Sequence, residues 1–536
     1  MKKRTIVILG GAQSGPTAAA RARELDESAR IVLVERANDV SYAVAGLAYH
    51  LSGEVPRLEE LNREKAEMFR DVYGIEVRTG TAVTGIDAKR RSVALGDEVL
   101  EYTALIHALG AESIVPDALA GAGNVVCFRT LADLATILGR LDAGARRVAI
   151  VGGGFFGVEA ADGFLRRKCE VTLIESGPRI LSGFSPAVSA LATEALGRLG
   201  ARTLVGAEIA AAQKSGDAVS ALVLASGERM PVDLVIAAAG VRPRTELLAK
   251  AGAKLLPDGS VKVDRRMRTS LRGVYACGVS VAVEHAVTRE HRLVAQASIA
   301  DKTAQIAGAN AAGARLSMSR VLGTAIVRVG DLTCARTGVG GGERQKGIRT
   351  ARVHAASHDA WFPASRPISI ELHYAAKSGR VVGADLAGET GVDKRIDVLA
   401  AAVYAGMTID DLAELDLAYA PPFSAARDAL NVAATVAQSP AKVRVWTPTE
   451  LIENKGRVTV VDVRDKPDGS PPGALGIPLG SLRARLGELE GKKLCFVDDA
   501  GRGAYLAACI AAGRGLGSAG YLSGGLRSLG LEEARS

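Results

Sequence analysis

The sequence predicts an α/β fold built from successive parallel βαβ units, with smaller domains behind them. Two glycine-rich turns about 140 residues apart carry this prediction, because each follows a β-branched strand and precedes a helix-like stretch. The first lies in "RTIVILGGAQSGPTAAARARELDESARIVLVER" and the second in "RRVAIVGGGFFGVEAADGFLRRKCEVTLIES". Each unit spans about 30 residues and its second strand ends in a glutamate, as a dinucleotide fingerprint requires. We therefore expect two Rossmann-like domains that hold two dinucleotides.

Each glycine of the two turns has an expected role. Gly10 and Gly152 permit the tight turn. Gly15 and Gly157 allow the helix to pack closely on the strand, and Gly154 lets the backbone approach a pyrophosphate. That pyrophosphate would lie over free N–H groups at the start of the helix, where the macrodipole is positive.

The acidic residues that end the second strands are expected to bind ribose. Glu35 and Glu175 are placed to accept hydrogen bonds from ribose hydroxyls, and a carboxylate repels a 2′-phosphate, so Glu175 favours NADH over NADPH. Ala12 replaces the middle glycine of the first turn and weakens that match. The alternative interpretation is two ordinary glycine turns, each followed by a surface glutamate. Three further glycines complete the predicted cofactor-binding set, namely Gly11, Gly110 and Gly278.

Length and composition restrict the function classes. At 536 residues and 48% hydrophobic content, the chain is long enough for several domains. It has no uninterrupted apolar run of about 18 residues, and "MKKRTIVILGG" runs straight into the glycine turn, so we expect no membrane span, no signal peptide and a cytoplasmic location. Six cysteines without a CxxC pair predict reduced thiols and no metal site. The net charge of +8 is spread without a basic block, so no nucleic-acid binding is expected.

Changes in the pattern divide the chain into domains. The first nucleotide unit closes with "YTALIHALGAE" and the second with the similar "VDLVIAAAGVRPRTE", after which short strands return to the first domain. A region of strands then leads to the helical segment "DKRIDVLAAAVYAGMTIDDLAEL", and "RVTVVDVRD" and "KKLCFVDD" are strands of a last α/β domain. The predicted boundaries are 1–115 with 246–320 for the first nucleotide domain, 116–245 for the second, 321–437 for an α+β domain, 438–447 for a linker and 448–536 for the C-terminal domain.

Three segments carry a resemblance to a known family: "VSYAVAGLAYHLSGEV", "SHDAWFPAS" and "GVDKRIDVLAAAVYAGMTIDDLAELDLAYAPPFSAARD". With them, residues 1 to about 440 resemble the flavin-dependent pyridine nucleotide–disulfide oxidoreductases, in the branch of coenzyme A disulfide reductases and NADH-dependent persulfide reductases. The remainder resembles a rhodanese domain. The resemblance implies FAD in the first domain, NADH in the second, an α+β dimerisation domain that makes a homodimer, and a C-terminal rhodanese-like α/β domain.

The chain departs from this family at the redox position. The family pattern is Ser-Tyr/Phe-Ala-Asn-Cys-Gly-Leu-Pro-Tyr, and its cysteine takes electrons from the flavin and breaks an S–S bond by exchange. Val44, Ala45 and Ala48 stand here for the Asn, Cys and Pro. Ala45 has no nucleophile, and no other cysteine lies in the first 126 residues. We therefore expect the redox cysteine to be lost.

Two more positions lack the functional residue that the family has there. Asp498 stands where a rhodanese domain holds its persulfide cysteine, so sulfur transfer is not expected, although Asp462 and Arg464 match the pair that holds that fold together. The alternative role of the C-terminal domain is to dock a protein partner. Val279 stands where the family has an Asp that binds the ribityl chain of the flavin. Its loss costs about 1.5–3 kcal/mol of binding, but FAD is still expected.

The resemblance also implies remnants of a coenzyme A site. Thr17, Ser41 and Arg427 match substrate-binding positions for coenzyme A or another thiol ligand, with Arg427 in place of a Lys. Tyr419, which would reach over from the partner subunit, is the candidate catalytic residue. Other family positions have changed, as at Glu24, Tyr73 and Trp361. The alternative is that the matching residues are inherited packing residues.

These observations favour an FAD-dependent NADH oxidoreductase that lacks the redox cysteine and passes electrons from the flavin directly to another acceptor. Two alternatives remain. One is a catalytically dead nucleotide-binding scaffold or sensor. The other is a disulfide or persulfide reductase that uses a distant thiol, although such coupling needs a sulfur within reach of the flavin.

Overall fold

The computed structural model of the protein describes residues 4–62, 65–341, 346–438 and 443–533. Contacts between residues divide the chain into two compact units. The first comprises Met1–Ile180 and Leu196–Gly323, and the second comprises Leu181–Ala195 and Thr324–Ser536. Residues 181–195, which the sequence assigns to the predicted domain 116–245, lie instead in the second unit with the region from residue 324 onward.

The N-terminal stretch contributes the centre of a parallel sheet. Its elements are β1 (Thr5–Leu9), α1 (Ser14–Leu25), β2 (Arg30–Val34), α2 (Leu47–Ser52), α3 (Ala66–Asp71), β3 (Glu76–Arg78), β4 (Gly85–Asp87), β5 (Ser92–Leu95), β6 (Glu98–Glu101), β7 (Ala104–His107), β8 (Ala111–Ser113) and β9 (Val125–Cys127). β1 pairs in parallel with β2 and β7, and β2 with β3, whereas β4, β5 and β6 form a separate antiparallel sheet. The side chains of β1 from Ile6 to Leu9 are fully buried, as expected for a central parallel strand.

A second parallel sheet follows. The elements of this stretch are α4 (Leu131–Asp142), β10 (Arg147–Val151), α5 (Phe155–Arg166), β11 (Glu170–Glu175), α6 (Pro186–Arg198), β12 (Arg202–Val205), β13 (Ile209–Ser215), β14 (Ala218–Leu224), β15 (Arg229–Pro231), β16 (Leu234–Ala237), β17 (Val241–Pro243) and α7 (Glu246–Lys250). The sheet order is β12-β11-β10-β16-β9, so β10 occupies the central place that β1 has in the first sheet. β17 pairs with β8 and links the two sheets.

The chain then returns to the first sheet. Its elements are β18 (Val261–Lys262), β19 (Val274–Ala276), β20 (Val281–Glu284), β21 (His291–Leu293) and α8 (Ala297–Ala311). β19 joins β7 and completes the order β19-β7-β1-β2-β3. α8 crosses α1 so closely that a Cβ on Gly308 would lie 2.3 Å from the carbonyl oxygen of Ala18. A glycine is therefore required at this crossing.

An antiparallel sheet covered by helices opens the second unit. Its elements are β22 (Ala325–Val329), β23 (Leu332–Gly338), β24 (Ile348–Ala356), β25 (Pro367–Ala375), β26 (Val381–Gly388), α9 (Val392–Ala405), α10 (Ile409–Glu414) and α11 (Ala429–Ala437). The strand order is β22-β23-β26-β25-β24. Arg395 of α9 makes a buried two-pronged ion pair with Asp428, at 3.0 and 2.8 Å, and so ties α9 to the start of α11.

The chain ends in a third parallel sheet. Its elements are β27 (Arg444–Trp446), α12 (Pro448–Glu453), β28 (Thr459–Asp462), β29 (Leu475–Gly476), β30 (Leu494–Val497), α13 (Arg502–Gly513), β31 (Gly520–Leu522) and α14 (Gly525–Glu533), and the strand order is β27-β31-β30-β28-β29. The predicted linker 438–447 differs from the structure, since residues 444–446 form a strand. Trp446 is fully buried there and donates to the Leu494 carbonyl, and linker residues 439–442 lie outside the described residues.

Candidate functional site

The first glycine-rich turn lies between β1 and α1. Gly10 has a φ of 105°, a left-handed conformation that favours glycine. A Cβ on Gly15 would lie 1.7 Å from the Gly10 carbonyl oxygen, so the helix can start this close to the strand only without a side chain. Among the described residues, no side chain caps the first turn of α1. Its N–H groups therefore remain available to an anion.

The carboxylate that ends β2 closes one side of this turn. Glu35 accepts hydrogen bonds from the N–H groups of Gly11, at 2.6 Å, and Ala37, at 2.8 Å. Both carboxylate oxygens are thereby held in place at the carboxyl edge of the sheet, where nucleotides bind in open α/β sheets. A Cβ on Gly11 would lie 2.8 Å from the Cβ of Glu35, so glycine is needed for this contact.

Two more turns reach the same edge of the first sheet. The turn after β7 contains Gly110, whose φ is 69°, and the turn after β19 contains Gly278, whose φ is 80°. The main chains that lead into these two turns are hydrogen-bonded to each other, because the N–H of Cys277 donates to the His107 carbonyl at 3.0 Å. A Cβ on Gly278 would lie 2.7 Å from the hydroxyl of Ser14 at the start of α1. Gly10, Gly11, Gly15, Gly110 and Gly278 thus frame one cradle, and this cradle fits the pyrophosphate of FAD.

The position that follows Gly278 lacks a polar group. A Cβ on Gly110 would lie 3.8 Å from a methyl group of Val279, so this side chain faces the turn after β7. The resemblance implies a carboxylate here that binds the ribityl chain. A methyl group accepts no hydrogen bond, so the cradle fits the pyrophosphate better than it fits the ribityl hydroxyls.

The second glycine-rich turn repeats the first between β10 and α5. Gly152 has a φ of 111°, and a Cβ on Gly157 would lie 1.9 Å from the Gly152 carbonyl oxygen. Glu175 accepts hydrogen bonds from the N–H groups of Gly153 and Gly177, each at 2.7 Å. Gly154 has open space within 4 Å of the place where a Cβ would stand. The open side of Gly154 is suited to the close approach of a pyrophosphate.

The segment that contains the predicted redox position lies against the first turn. The N–H of Ser41 donates to the Gly11 carbonyl at 2.8 Å, and that of Tyr42 donates to the Ala12 carbonyl at 3.1 Å. Ser41 has a φ of 56°, which is uncommon outside glycine. A 3₁₀ turn over Val44–Gly46 then leads into α2, and Ala45 is exposed on this turn. Residue 45 is thus accessible beside the first cradle but carries only a methyl group.

Helix α2 is also fastened to the second βαβ unit. Arg167, which follows α5, donates to the Leu51 carbonyl at the end of α2 at 2.6 Å. A Cβ on Gly163 of α5 would lie 3.1 Å from the Leu51 side chain. α2 is therefore fastened to α5, while the segment that precedes α2 is hydrogen-bonded to the first glycine-rich turn.

Five of the six cysteines, all of which lie in the described chain, have thiols whose pKa burial raises; Cys509 of α13 is partly exposed. Cys277 at the edge of the first sheet is fully buried, and burial raises the pKa of its thiol to about 12. Burial also raises the pKa of Cys127, which ends β9, and of Cys169, which precedes β11. In the second unit, burial raises the pKa of Cys334 to about 12 and also raises that of Cys495. Such thiols stay protonated at neutral pH and are poor nucleophiles.

The structure adds residues that the sequence interpretation missed. The Arg129 guanidinium lies 5.3 Å from the ring centroid of Phe156 at the start of α5. Burial lowers the pKa of Arg129, and the nearby Arg244 lowers it further. Burial and the nearby Glu35 raise the pKa of Tyr42 to about 12, so it stays a neutral phenol. Two guanidinium groups close together favour an anionic ligand beside them. Their separation in sequence left no local signal.

A buried histidine lies at the same sheet edge. His107 ends β7 and is fully buried, and neither ring nitrogen has a hydrogen-bond partner among the described residues. Burial lowers the pKa of His107 to about 4, so the ring is neutral at pH 7. The motif "HALGA" could have drawn attention to it, because a histidine is unusual inside a buried strand.

The predicted substrate-binding and catalytic residues are divided between the two units. In the first, the Thr17 hydroxyl lies 3.4 Å from an Asp301 carboxylate oxygen, and Ser41 is buried. In the second, Arg427 is exposed and donates to the Thr435 hydroxyl at 2.7 Å. Tyr419 is about half exposed and donates to Asp359 at 2.6 Å. Arg427 and Tyr419 are thus exposed, whereas Ser41 is not.

The described residues contain no group of His, Cys, Asp and Glu side chains arranged to hold a metal ion. Over the same residues, no helix is both long enough and apolar enough to cross a bilayer.

Comparison with known families places the chain. The family model for pyridine nucleotide-disulphide oxidoreductases matches residues 4–303, and the model for their dimerisation domain matches residues 324–430. The chain belongs to the pyridine nucleotide-disulphide oxidoreductases. This family includes an NAD(P)H sulfur oxidoreductase (CoA-dependent) of Pyrococcus abyssi, which is 32% identical over 450 residues, covering 81% of this chain and 98% of the relative. An NADH oxidase of Methanocaldococcus jannaschii is 28% identical over 440 residues, covering 80% and 97%.

Solved structures of the family extend the likeness to the whole chain. The reduced CoADR-RHD of Bacillus anthracis superimposes with a TM-score of 0.94 at 29% identity, covering 100% of this chain and 99% of the other. An NAD-dependent persulfide reductase from A. fulgidus gives 0.92 at 30% identity, covering 98% and 99%. The predicted family, its coenzyme A disulfide and persulfide reductase branch and a dimerisation domain are thus confirmed. So are the enzyme class, a flavin-dependent NAD(P)H oxidoreductase, and the cofactors FAD and NAD(H).

Proposed function

We propose that this protein oxidises NADH through FAD and passes the electrons directly to an acceptor, without an intervening cysteine. The observation that carries the proposal is Ala45, which stands exposed on the turn beside the first cradle where the family is expected to have its thiol. Bound FAD supplies hydride acceptance and onward electron transfer, which no side chain can supply. The chain's own residues position the two nucleotides and leave the space above Ala45 open.

The two parallel sheets are assigned to different cofactors. The sheet centred on β1, with Glu35, is proposed as a Rossmann-like FAD domain, and the sheet centred on β10, with Glu175, as the NAD domain. Glu175 supports NADH over NADPH, because its carboxylate is fixed by two N–H groups and would face a 2′-phosphate. The third parallel sheet is proposed as a rhodanese-like domain without sulfur transfer, since Asp498 stands at the nucleophile position.

A homodimer is proposed on the basis of the dimerisation domain. In it, Tyr419 would reach the site of the partner subunit, where it donates a proton or orients the acceptor. Its exposure and its hydrogen bond to Asp359 support this role. A coenzyme A or other thiol ligand on Thr17, Ser41 and Arg427 remains part of the proposal, as does a cytoplasmic location. The names of the relatives that act on coenzyme A or persulfides favour such a ligand.

The visible spectrum of the purified protein tests the proposal. We expect a yellow protein whose flavin absorption is lost on anaerobic addition of NADH and restored by a quinone, O₂ or a small electron carrier. The control is Gly154→Val, whose side chain would fill the open space at the second turn and block reduction by NADH while the yellow colour stays. No change in absorption with NADH in the unmodified protein would refute the proposal.

A second candidate function is a nucleotide-binding scaffold or sensor. Val279 favours it, because the loss of the ribityl-binding carboxylate weakens FAD while the NADH turn is unaffected. A colourless protein that still binds NADH would support this candidate, and steady turnover with any acceptor would exclude it.

The family relatives support a third possibility, a disulfide or persulfide reductase that uses a distant thiol. Burial of Cys277 and of Cys334 argues against it, because protonated thiols in the core cannot exchange with a disulfide. NADH consumption that depends on coenzyme A disulfide, and that persists in a Cys277→Ser variant, would locate the thiol elsewhere. Consumption that the same variant abolishes would assign it to Cys277.

A further inference from the structure

One face of the antiparallel sheet places a hydroxyl, an imidazole and a carboxylate in series. The hydroxyl of Thr350 in β24 lies 2.9 Å from Nδ1 of His373 in β25. Nε2 of the same ring lies 2.9 Å from a carboxylate oxygen of Asp385 in β26. His373 is 3% exposed and Asp385 is fully buried, whereas Thr350 is partly exposed. The series therefore leads from the protein surface into the interior of the second unit.

The register of β24 and β25 brings the hydroxyl to the imidazole. Thr350 lies directly opposite His373 in this register. The N–H of Ala376 donates to the Gly347 carbonyl at 2.8 Å, so these two residues form a hydrogen-bonded pair. Hydrogen-bonded and non-hydrogen-bonded pairs alternate along antiparallel strands, so Thr350 and His373, three residues further on, form a non-hydrogen-bonded pair. Opposite side chains are closest in such pairs, which explains the short contact.

The carboxylate end of the series is fixed by the main chain. Opposite His373 on β26 is Gly383, which has no side chain, so the ring reaches its diagonal neighbour Asp385. The Asp385 carboxylate also accepts hydrogen bonds from the N–H groups of Ser185, at 3.1 Å, and Gly341, at 2.6 Å. An ionised carboxylate accepts hydrogen bonds and donates none, so Nε2 of His373 carries the proton. Nδ1 of the neutral ring is then the base that faces the hydroxyl.

The main chain of Thr350 lies at the edge of the sheet. β24 is the last strand in the order β22-β23-β26-β25-β24. At a non-hydrogen-bonded position the N–H points away from the paired strand, so the Thr350 N–H points toward the edge. The hydroxyl and a main-chain donor therefore belong to the same residue at an open strand. Such a donor can stabilise the negative charge that develops on a carbonyl oxygen when the hydroxyl attacks it.

A second histidine in the same two strands has a different second partner. His354 of β24 lies opposite Ser369 of β25, and its Nδ1 is 2.8 Å from the Ser369 hydroxyl. Its Nε2 lies 3.1 Å from the hydroxyl of Ser528, where His373 has a carboxylate. Burial lowers the pKa of His354 to about 4, so this ring is a weak base. The carboxylate therefore distinguishes the series at His373 from an ordinary contact between a histidine and a hydroxyl.

We propose that Thr350 is a nucleophile for acyl transfer, with His373 as its general base and Asp385 as the residue that positions the ring. The substrate class is an activated acyl group, a thioester or an aryl ester. The Thr350 oxygen bonds to the acyl carbon while its proton passes to Nδ1 of His373. The bond from that carbon to the leaving sulfur or oxygen then breaks, and the leaving group takes the proton from Nδ1. The products are an ester on Thr350 and a free thiol or phenol, with no change of oxidation state.

This second site goes beyond the proposed electron transfer and does not depend on it. Its three side chains and the main-chain groups that hold them all lie in the second unit. The acyl transfer uses neither flavin nor NADH, so it can be measured whether or not the protein reduces an acceptor.

Acetylation of the full-length protein by p-nitrophenyl acetate tests the proposal. We expect an acetyl ester on the peptide that contains Thr350, located by mass spectrometry and removed by hydroxylamine. Thr350→Val should lose this adduct, and Thr350→Ser should keep it at residue 350. His373→Gln removes the base, and Asp385→Asn turns an NH₂ group toward Nε2 and so moves the proton to Nδ1. Each should slow the acetylation about a hundredfold, as expected for the loss of general base catalysis.

The matched control is Ser369, which is partly exposed like Thr350 and also contacts a histidine. In the unmodified protein its acetylation should be at least about tenfold slower than that of Thr350, and Ser369→Ala should leave the Thr350 adduct unchanged. This comparison within one protein still decides the matter if His373→Gln or Asp385→Asn fails to fold. Adducts confined to lysines, an unchanged rate in either folded variant, or equal acetylation of Ser369 and Thr350 would each overturn the proposal.

Discussion

The two glycine-rich turns share one backbone geometry but differ in what surrounds them. In both, the first glycine adopts a positive φ and the last packs against its carbonyl oxygen, at 1.7 Å from a Cβ on Gly15 and 1.9 Å from one on Gly157. In both, a glutamate accepts two N–H groups. The second turn has open space at Gly154, whereas the first has Ala12 at the matching position and Val279 nearby. The two turns therefore share their main-chain geometry and differ in the side chains around it.

Nucleotide binding and electron transfer therefore depend on different parts of the chain. A pyrophosphate is held by main-chain N–H groups, which survive almost any change of side chain that leaves the backbone in place. Electron transfer to a disulfide needs a sulfur atom at the flavin, and in the proposed function Ala45 stands at the position that lacks it. The proposed function therefore combines two main-chain nucleotide sites with the loss of one side chain that disulfide reduction requires.

The largest expected effect comes from filling the crossing inside each turn. Gly15→Ala and Gly157→Ala each place a Cβ within 2 Å of a carbonyl oxygen, so we expect each to lower the free energy of unfolding by about 3 kcal/mol or more. Gly15→Ala should also lose bound FAD, and Gly157→Ala should lose NADH binding with flavin retained. Urea denaturation and the visible spectrum measure both effects.

The control for this pair is Gly139→Ala in α4, where nothing lies within 4 Å of the added Cβ. A helical glycine in open space should gain about 0.5–1 kcal/mol on this change. If Gly15→Ala were as stable as Gly139→Ala, the close packing at the first turn would be refuted.

Neutralising one glutamate sharpens the assignment of the two turns. Glu175→Gln keeps one acceptor oxygen but sets an NH₂ group against a main-chain N–H, so we expect the Kd of NADH to rise about tenfold. The preference for NADH over NADPH should fall, because the charge that repels a 2′-phosphate is gone. Calorimetric titration with both nucleotides measures this. Glu35→Gln is the matched control and should weaken FAD while the NADH affinity stays the same; the opposite result would exchange the two assignments.

Restoring a carboxylate tests the weakness of the first cradle. Val279→Asp should lower the Kd of FAD about tenfold, as expected for one hydrogen bond to a charged group. Flavin retention during dialysis against the unmodified protein measures the change. Val279→Leu, which adds volume without charge, should give no gain. Equal retention in all three proteins would mean that Val279 lies away from the ribityl chain.

The smallest expected effect is a difference between the two sheets in how their stability depends on pH. At the start of β10, Asp233 binds Arg147, and this hydrogen bond lowers the pKa of Asp233 from 3.8 to about 2, whereas the matching place at β1 is held by the neutral Thr103. Because the folded pKa is depressed, the stability is present above pH 3.8 and is lost as the pH falls toward 2. After solvent screening it amounts to about 1 kcal/mol.

Thermal unfolding of Asp233→Asn and Thr103→Val at pH 7 and pH 2.5 tests this contrast. Asp233→Asn should lose stability at pH 7 and approach the wild type in acid, while the deficit of Thr103→Val should be the same at both values. A deficit of Asp233→Asn that does not change with pH would show that its carboxylate is not ionised in the folded state.

Much of the nucleotide-binding architecture could be read from the residues themselves. The spacing of strand, glycine turn, helix and acidic strand end is local, so the cradle at Gly10 and that at Gly152 were both accessible to inspection. The family resemblance rested on long segments and is confirmed by the family models. Local patterns failed where distant parts meet. The sequence predicts a linker over 438–447, whereas residues 444–446 form a strand, because that strand depends on pairing with the distant residues 520–522.

The sequence by itself predicted two glycine-rich turns of the dinucleotide-binding type and showed that residue 45 carries no sulfur, because both follow from residue types at short spacings. Only the tertiary structure showed that Arg129 lies against Phe156, that Arg167 fastens α2 to α5, and that the Asp498 carboxylate accepts hydrogen bonds from main-chain N–H groups. Each of these depends on a contact between a side chain and a group that becomes its neighbour only on folding. The direction of a main-chain N–H toward a carboxylate is a property of three-dimensional packing, and no spacing in the chain encodes it alone.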